Sequence, residues 1–134
     1  MFLLKRLLRT LGFRPTPRLS FHTEQALLDS LQELVDEEQR PREQVLSDLL
    51  AQGLARRQAA QANLRRWQAL SEREQQVAAL VCLNYTNRQI GLRLSISPET
   101  VKSHVHNLLS KFELHAKVEL RQQLADWDFS AWEK

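Results

Sequence analysis

The pattern of polar and apolar positions between residues 70 and 114 predicts three short helices in close succession. Each apolar run is preceded by a helix start signal: the capping boxes Ser71–Glu74 and Thr86–Gln89, and the pair Ser97-Pro98. Only Ser95-Ile96-Ser97 separates the second predicted helix from the third. Two helices joined by so short a turn form a helix-turn-helix.

The third predicted helix has two different faces. One face carries apolar residues at helical spacing, which must pack on a core: Val101, Val105, Leu108 and Phe112. The opposite face carries polar residues of mixed length: Glu99, Lys102, Ser103 and His106. Such a face suits the reading of DNA base edges, but an ordinary solvated face has the same period. The periodicity alone leaves both interpretations open.

The residues of this stretch resemble the LuxR/GerE-type helix-turn-helix domain of bacterial transcription factors over about residues 68–125. The matching positions are Leu70, Ser71, Arg73, Glu74, Asn87, Ile90, Leu94, Ile96, Ser97, Thr100, Val101, Lys102, His104, Asn107, Leu108 and Lys111. Five positions depart from the family pattern. Asn84 and Glu113 stand where the family has glycine, Gly91 where it has alanine, and Ala116-Lys117 where Asn-Arg is usual. Asparagine still tolerates a positive φ, whereas glutamate is a poorer left-handed cap.

The resemblance implies a four-helix domain whose third helix, about residues 98–112, enters the major groove of double-stranded DNA. It assigns base contacts to Lys102, Ser103, His106 and Glu99. It assigns phosphate contacts to Thr86, Asn87, Arg88, Ser97, Thr100, His104 and Lys111. The fourth helix, residues 116–125, resembles the family's dimerisation helix, with Val118, Leu120 and Arg121 as contacts. Two copies docked symmetrically place their half-sites roughly 10 bp apart.

Composition places the chain in a mainly α class. It has 134 residues, of which 43% are hydrophobic, and only three glycines, so we expect one or two small helical domains. The single cysteine, Cys82, excludes a disulfide framework and suits a bacterial cytoplasm. Because it lies in an apolar run, we expect a reduced core residue.

Charge is unevenly distributed along the first half of the chain. Residues 1–20 carry five basic residues and no acid, whereas residues 21–54 carry eight acids and two arginines. Residues 1–17 are predicted to be a basic amphipathic arm. Over residues 1–13 its leucines alternate with Lys5, Arg6 and Arg9, which predicts a short amphipathic helix that is too short and too charged to span a bilayer. We expect this arm to pack on its own domain or a partner subunit, to touch phosphates, or to contact a membrane surface, of which membrane binding is the least favoured role.

Residues 18–54 predict one strand followed by two helices. Arg18, Ser20 and His22 alternate with Leu19 and Phe21, the period of a half-buried strand, and Gly53 offers a stop for the second helix. This order resembles ribbon-helix-helix repressors, in which two subunits pair their strands. The resemblance implies that Leu19 and Phe21 contribute to dimerisation. It leaves two roles open for the segment: Arg18, Ser20 and His22 form a second DNA site, or the segment only dimerises. The alternative is a helical hairpin packed against the C-terminal domain.

Two segments remain. Residues 55–67 have high helix propensity and four arginines, so we expect a helical linker. Residues 127–134 hold Trp127, Phe129 and Trp132, which are too apolar to remain in water and predict packing on a helix or a subunit interface.

No pattern of an enzyme, a metal site or a cofactor site is evident. His104 and His106 are two positions apart on a helix and point in different directions, and no glycine-rich phosphate loop is present. The sequence therefore predicts a homodimeric, sequence-specific transcriptional regulator with its DNA-binding domain at residues 68–126. The alternative is an antitoxin-like or anti-activator module whose N-terminal segment binds a regulatory protein partner.

Overall fold

The computed structural model describes residues 17–134, and within them the chain is helical with no β-strand. The helices are α1 (Gln25–Glu38), α2 (Arg42–Gln68), α3 (Glu72–Cys82), α4 (Asn87–Leu94), α5 (Pro98–Lys111) and α6 (Lys117–Gln123), followed by a 3-10 turn at Ser130–Trp132. The mainly α prediction is therefore confirmed. The predictions made for the basic arm fall almost entirely on residues 1–16, which lie outside the described residues.

The strand predicted at residues 18–23 is wrong. These residues have no regular secondary structure, and Leu19 and Phe21 are 74% and 57% exposed. Period-two alternation marks a strand only where a second strand accepts its hydrogen bonds, and the described part of the chain offers none. The ribbon-helix-helix interpretation, which depends on that strand, is not supported.

The chain divides into two compact units, of which the first ends at Asp48. Its described part contains α1, which has no fully buried residue, and the start of α2, where Val45 is 2% exposed. Between the two helices Gln39 adopts a left-handed conformation (φ 51°). Arg40 closes this turn by donating to Glu38, at 2.9 Å, and to Asp48.

Helix α2 is longer than the sequence predicted. It runs without interruption for 27 residues, so Gly53 does not end it and the expected linker is the continuation of the same helix. A Cβ built on Gly53 would meet no atom within 4 Å. The strong helix propensity on both sides of this glycine outweighs its own cost of about 1 kcal/mol.

The second unit, Leu49–Lys134, holds the core of the protein. Helices α3, α4, α5 and α6 surround fully buried side chains that include Val77, Ile90, Leu108, Phe112 and Leu120. The predicted start signals are confirmed: Ser71 and Thr86 form capping boxes with Glu74 and Gln89, and Ser97 caps α5 with Pro98 in its first turn.

The turns of this unit require backbone conformations that are unusual for their residues. Asn84, Ser95 and Glu113 all have positive φ, of 67°, 56° and 58°. Asn84 and Glu113 stand at the two positions where the resembling family has glycine, so the chain keeps the conformation without the glycine. Gly91 lies on α4 where a Cβ would approach the Ile96 carbonyl oxygen to 2.7 Å. The turn between α4 and α5 packs closely on α4 at this point.

Candidate nucleic-acid interface

Helix α5 separates its apolar and polar residues on opposite sides. Val101 and Leu108 have no exposed surface, and Val105 and Leu109 are 7% and 8% exposed. Glu99, Lys102, Ser103 and His106, the residues predicted to contact bases, are all exposed. Their spacing of three or four residues places them in one row along the helix. The predicted reading face is therefore a continuous, solvent-accessible polar surface.

The chemistry of this row is mixed. The Ser103 hydroxyl donates to the Glu99 carbonyl oxygen at 3.2 Å, so its oxygen retains lone pairs that can accept from a base. Lys102 contributes an ammonium donor and His106 a ring that can donate or accept. Side chains with both donors and acceptors can pair with the donors and acceptors that base edges display in a major groove.

Two helix N-termini border this row. The Thr86 hydroxyl at the start of α4 accepts from Gln89 N at 3.2 Å, and the Ser97 hydroxyl at the start of α5 accepts from Thr100 N at 3.1 Å. The hydroxyls of Ser97 and Thr100 also lie 2.9 Å apart. Helix N-termini carry partial positive charge and favour phosphate oxygens. Thr86, Ser97 and Thr100 thus lie at helix starts, as does the exposed Arg88, and their role as phosphate contacts stays a prediction.

Asn87 has an internal partner that the sequence did not indicate. Its side-chain oxygen accepts from the ammonium of Lys117, the first residue of α6. Burial lowers the pKa of Lys117, and the nearby charge of Arg121 lowers it further. Since only the amide oxygen of Asn87 is engaged, its NH2 group can still donate to a phosphate.

Lys111 lies in an ion pair with Glu74. Its ammonium donates to the Glu74 carboxylate at 2.7 Å and to the Ala69 carbonyl oxygen at 3.3 Å. Burial raises the pKa of Glu74, but the hydrogen bonds from Lys111 and from the Ser71 backbone outweigh it, and the pKa is lowered overall. The Glu74 side chain is only 9% exposed, against 42% for Lys111. This geometry gives Lys111 a structural partner that the sequence did not indicate, and the predicted phosphate contact would have to use the one N–H of the ammonium that these two bonds leave.

The three dimerisation residues predicted on α6 lie in different environments. Leu120 has no exposed surface and belongs to the core, so the prediction that this side chain makes a dimer contact is wrong. Leu120 faces the core because α6 packs on both α3 and α5. Arg121 is half-buried and donates to the Val81 carbonyl oxygen at 3.3 Å, whereas Val118 is 50% exposed.

The residues predicted at other sites are more scattered. His104 is half-buried on α5, and Arg18, Ser20 and His22 are exposed in the irregular segment before α1.

Burial raises the pKa of the Cys82 thiol to about 11, although the charge of Arg121 opposes the shift. No group of three or more potential metal ligands occurs among residues 17–134. Over the same residues, no helix is long and apolar enough to cross a membrane.

Sequence reasoning also missed two further interactions. The Glu119 carboxylate accepts from the backbone N–H groups of His115 and Ala116, at 2.8 and 3.1 Å, which lowers its pKa and caps α6. A glutamate three residues after the helix start was the available signal. Arg93 on α4 was also missed, and its partners lie about 40 residues away in the aromatic tail, a distance that no local motif reveals.

Comparison with known proteins agrees with this geometry. The family model for bacterial regulatory proteins of the luxR family (GerE) matches residues 68–124. The response regulator protein TodT of Pseudomonas putida is 46% identical over 48 residues, or 36% of this chain and 21% of TodT. The response regulator protein TmoT of Ectopseudomonas mendocina is 41% identical over 54 residues, and VraR of Staphylococcus aureus 36% over 53. These matches cover 40% of this chain, and 24% and 25% of the relatives.

The matched part of the chain thus spans only about a fifth to a quarter of the length of these relatives. No solved structure matches the chain significantly.

Proposed function

We propose that this chain is a transcriptional regulator that reads its operator with α5 in the major groove, because residues 68–124 match the family model for bacterial regulatory proteins of the luxR family. One observation supports this proposal above all others. Four polar side chains on α5 share one exposed row, and the opposite side of the helix is buried in the core. The core fixes the orientation of the helix, and the polar row remains available to DNA.

In this proposal the polar row on α5 contacts bases, and the helix starts around it contact phosphates. Lys102, Ser103 and His106, with Glu99, contact base edges, where Lys102 donates to guanine O6 or N7. The residues at the two helix starts, with His104, hold the phosphate backbone and set the register without reading sequence: Thr86, Asn87, Arg88, Ser97 and Thr100. Lys111 is omitted from this set because its ammonium is bound to Glu74.

We propose that the regulator acts as a homodimer. Exposed apolar side chains in the described part of the first unit support this, among them Leu19, Phe21 and Leu27, the last of which is 58% exposed. On α6, Val118 offers a second apolar contact. A dimer on a two-fold operator doubles the number of base contacts and so raises specificity.

The assignment of α5 is tested by Lys102→Ala. We expect a loss of about 1–3 kcal/mol in binding free energy and relaxed selectivity at one base position, because one donor to a base edge is removed. Binding of a preferred duplex and of its single-base variants is measured by fluorescence anisotropy. Arg88→Ala is the matched control, and it should weaken all duplexes alike. Equal losses on every duplex for both variants would contradict the division into base readers and phosphate contacts.

The alternative function is a protein-interaction module. The surplus of acids in residues 21–54 supports it, because such a surface suits a basic partner protein. Deletion of residues 1–65 distinguishes the two functions. If the shortened chain keeps specific DNA binding, the regulator proposal stands. If both forms bind no specific sequence, the interaction module takes its place. If only the full chain recovers an additional DNA element, Arg18, Ser20 and His22 become a second reading site.

A further inference from the structure

The last residues of the chain form an aromatic cluster with the end of α2. Trp67 lies 5.4 Å from Trp127, 5.7 Å from Phe129 and 6.4 Å from Trp132, between ring centroids. Trp127 and Phe129 are stacked at 6.1 Å. These separations are those of attractive aromatic pairs. The cluster contains all three tryptophans of the chain, and all four of its residues lie outside the segment that the family model matches.

The aromatic cluster joins the end of α2 to the core of the DNA-binding unit. Phe129 is 6% exposed and packs with the buried core residues, against which the three tryptophans are partly buried. Two polar contacts hold α2 in the same place. Asn63 and Gln123 exchange hydrogen bonds of 3.2 and 2.6 Å, and Arg66 pairs with Glu113 at 2.8 Å. The end of α2 is therefore fixed to α6 and to the turn after α5.

Arg93 links the aromatic cluster to α4, the first helix of the helix-turn-helix. Its guanidinium donates to the carbonyl oxygens of Trp132 and Glu133 at 3.3 and 2.6 Å. It also donates to the Tyr85 hydroxyl at 3.2 Å, with its central carbon 5.0 Å from the Tyr85 ring centroid. A planar fork of donors that binds two carbonyls while stacking on a ring is a geometry that arginine provides and lysine does not.

We propose that Arg93 is a positioning residue for DNA reading, which acts through the aromatic cluster and not by contact with phosphate. Arg93 fixes α4 against the tail, and α4 in turn supports α5 through the tightly packed turn at Gly91. The proposal rests on the proposed function, because it assigns a role within the same DNA interface. It also extends the DNA-binding unit beyond residues 68–124, to the end of α2 and the tail.

The test compares Arg93→Ala and Arg93→Lys with Arg88→Ala in the full chain. DNA affinity is measured as a function of salt, and tryptophan emission is recorded without DNA. Because every tryptophan belongs to the aromatic cluster, the emission reports on that cluster alone. Circular dichroism confirms that each variant is folded. A fourth variant, which ends at Phe129, removes Trp132 and keeps the buried Phe129.

We expect Arg93→Ala to shift the tryptophan emission to longer wavelength and to lower DNA affinity about five- to tenfold, the equivalent of one to two ordinary hydrogen bonds. The slope of log affinity against log salt should stay unchanged. Arg93→Lys should behave in the same way, and Arg93→Ala should add no further loss in the chain that ends at Phe129. Arg88→Ala should leave the emission unchanged and reduce the slope by about one.

Two results would overturn the proposal. A reduced salt slope for Arg93→Ala, with affinity restored in Arg93→Lys, would make Arg93 a phosphate contact. Unchanged affinity in Arg93→Ala would exclude a role in DNA reading, whatever the emission shows. If the unmodified chain binds no DNA, the proposed function itself fails, and the emission still tests whether Arg93 holds the aromatic cluster.

Discussion

At the scale of single residues, the Glu74 carboxylate makes two contacts, one that caps a helix and one with Lys111. The Glu74 carboxylate accepts from the backbone N–H of Ser71 at 2.9 Å, which caps α3, and from Lys111 at the end of α5. A nearly buried carboxylate that lost this ammonium would keep its desolvation cost without compensation. The ion pair therefore couples the start of α3 to the last turn of α5.

This pairing predicts an acid-sensitive stability. Because the pKa of Glu74 lies below its ordinary value of 4.5, its ionised form stabilises the fold. The contribution is complete above pH 4.5 and is lost as the pH falls through the pKa of the folded state. Urea unfolding of Glu74→Gln, followed near neutrality and well below pH 4.5, should show a weaker dependence on pH than that of the unmodified chain.

Lys111→Ala should lower the free energy of unfolding by about 1–2 kcal/mol, less than for a fully buried pair because Lys111 is partly exposed. Adding Glu74→Gln should recover part of this loss. If Lys111→Ala kept full stability and only reduced the salt slope of DNA binding, Lys111 would be a phosphate contact after all.

At the scale of elements, two glycines in the described part of the chain lie on helices, in opposite environments. Gly53 is surrounded by open space, whereas a Cβ on Gly91 would meet the backbone oxygen of Ile96. Gly53→Ala should therefore raise the free energy of unfolding by about 0.5–1 kcal/mol through its higher helix propensity. Gly91→Ala should show no such gain, because the backbone of the turn must shift to accept it. Thermal unfolding of both variants checks the difference, and equal stabilisation would contradict the close approach at Gly91.

The elements also show what the sequence could predict. The starts of α3, α4 and α5 were predictable because each capping residue acts on a neighbour three positions away. The positive φ at Asn84 and Glu113 agrees with the glycines of the resembling family. The strand at residues 18–23 failed because alternation does not supply a pairing partner. The partners of Lys111, and those of Arg93 in the tail, could not be predicted, since they lie 37 to 42 residues away and are brought close only by the fold.

At the scale of the whole molecule, exposed apolar surface is concentrated in the first half of the described chain. Leu27 and Leu54 are 58% and 60% exposed, and Val45 is the one fully buried hydrophobic residue between positions 17 and 63. A unit that buries so little apolar surface is seldom stable alone. This surplus is the physical reason to expect a second copy of the chain, and with it a two-fold symmetric operator.

In-vitro selection of bound duplexes from a random pool tests the central claim most directly. The full chain should enrich a palindrome whose half-sites are centred roughly 10 bp apart. Lys102→Ala, selected in parallel, should enrich the same palindrome with one base position in each half-site relaxed. Enrichment of no sequence by the full chain, or of an identical motif by both proteins, would contradict the claim that α5 reads DNA through its exposed polar row.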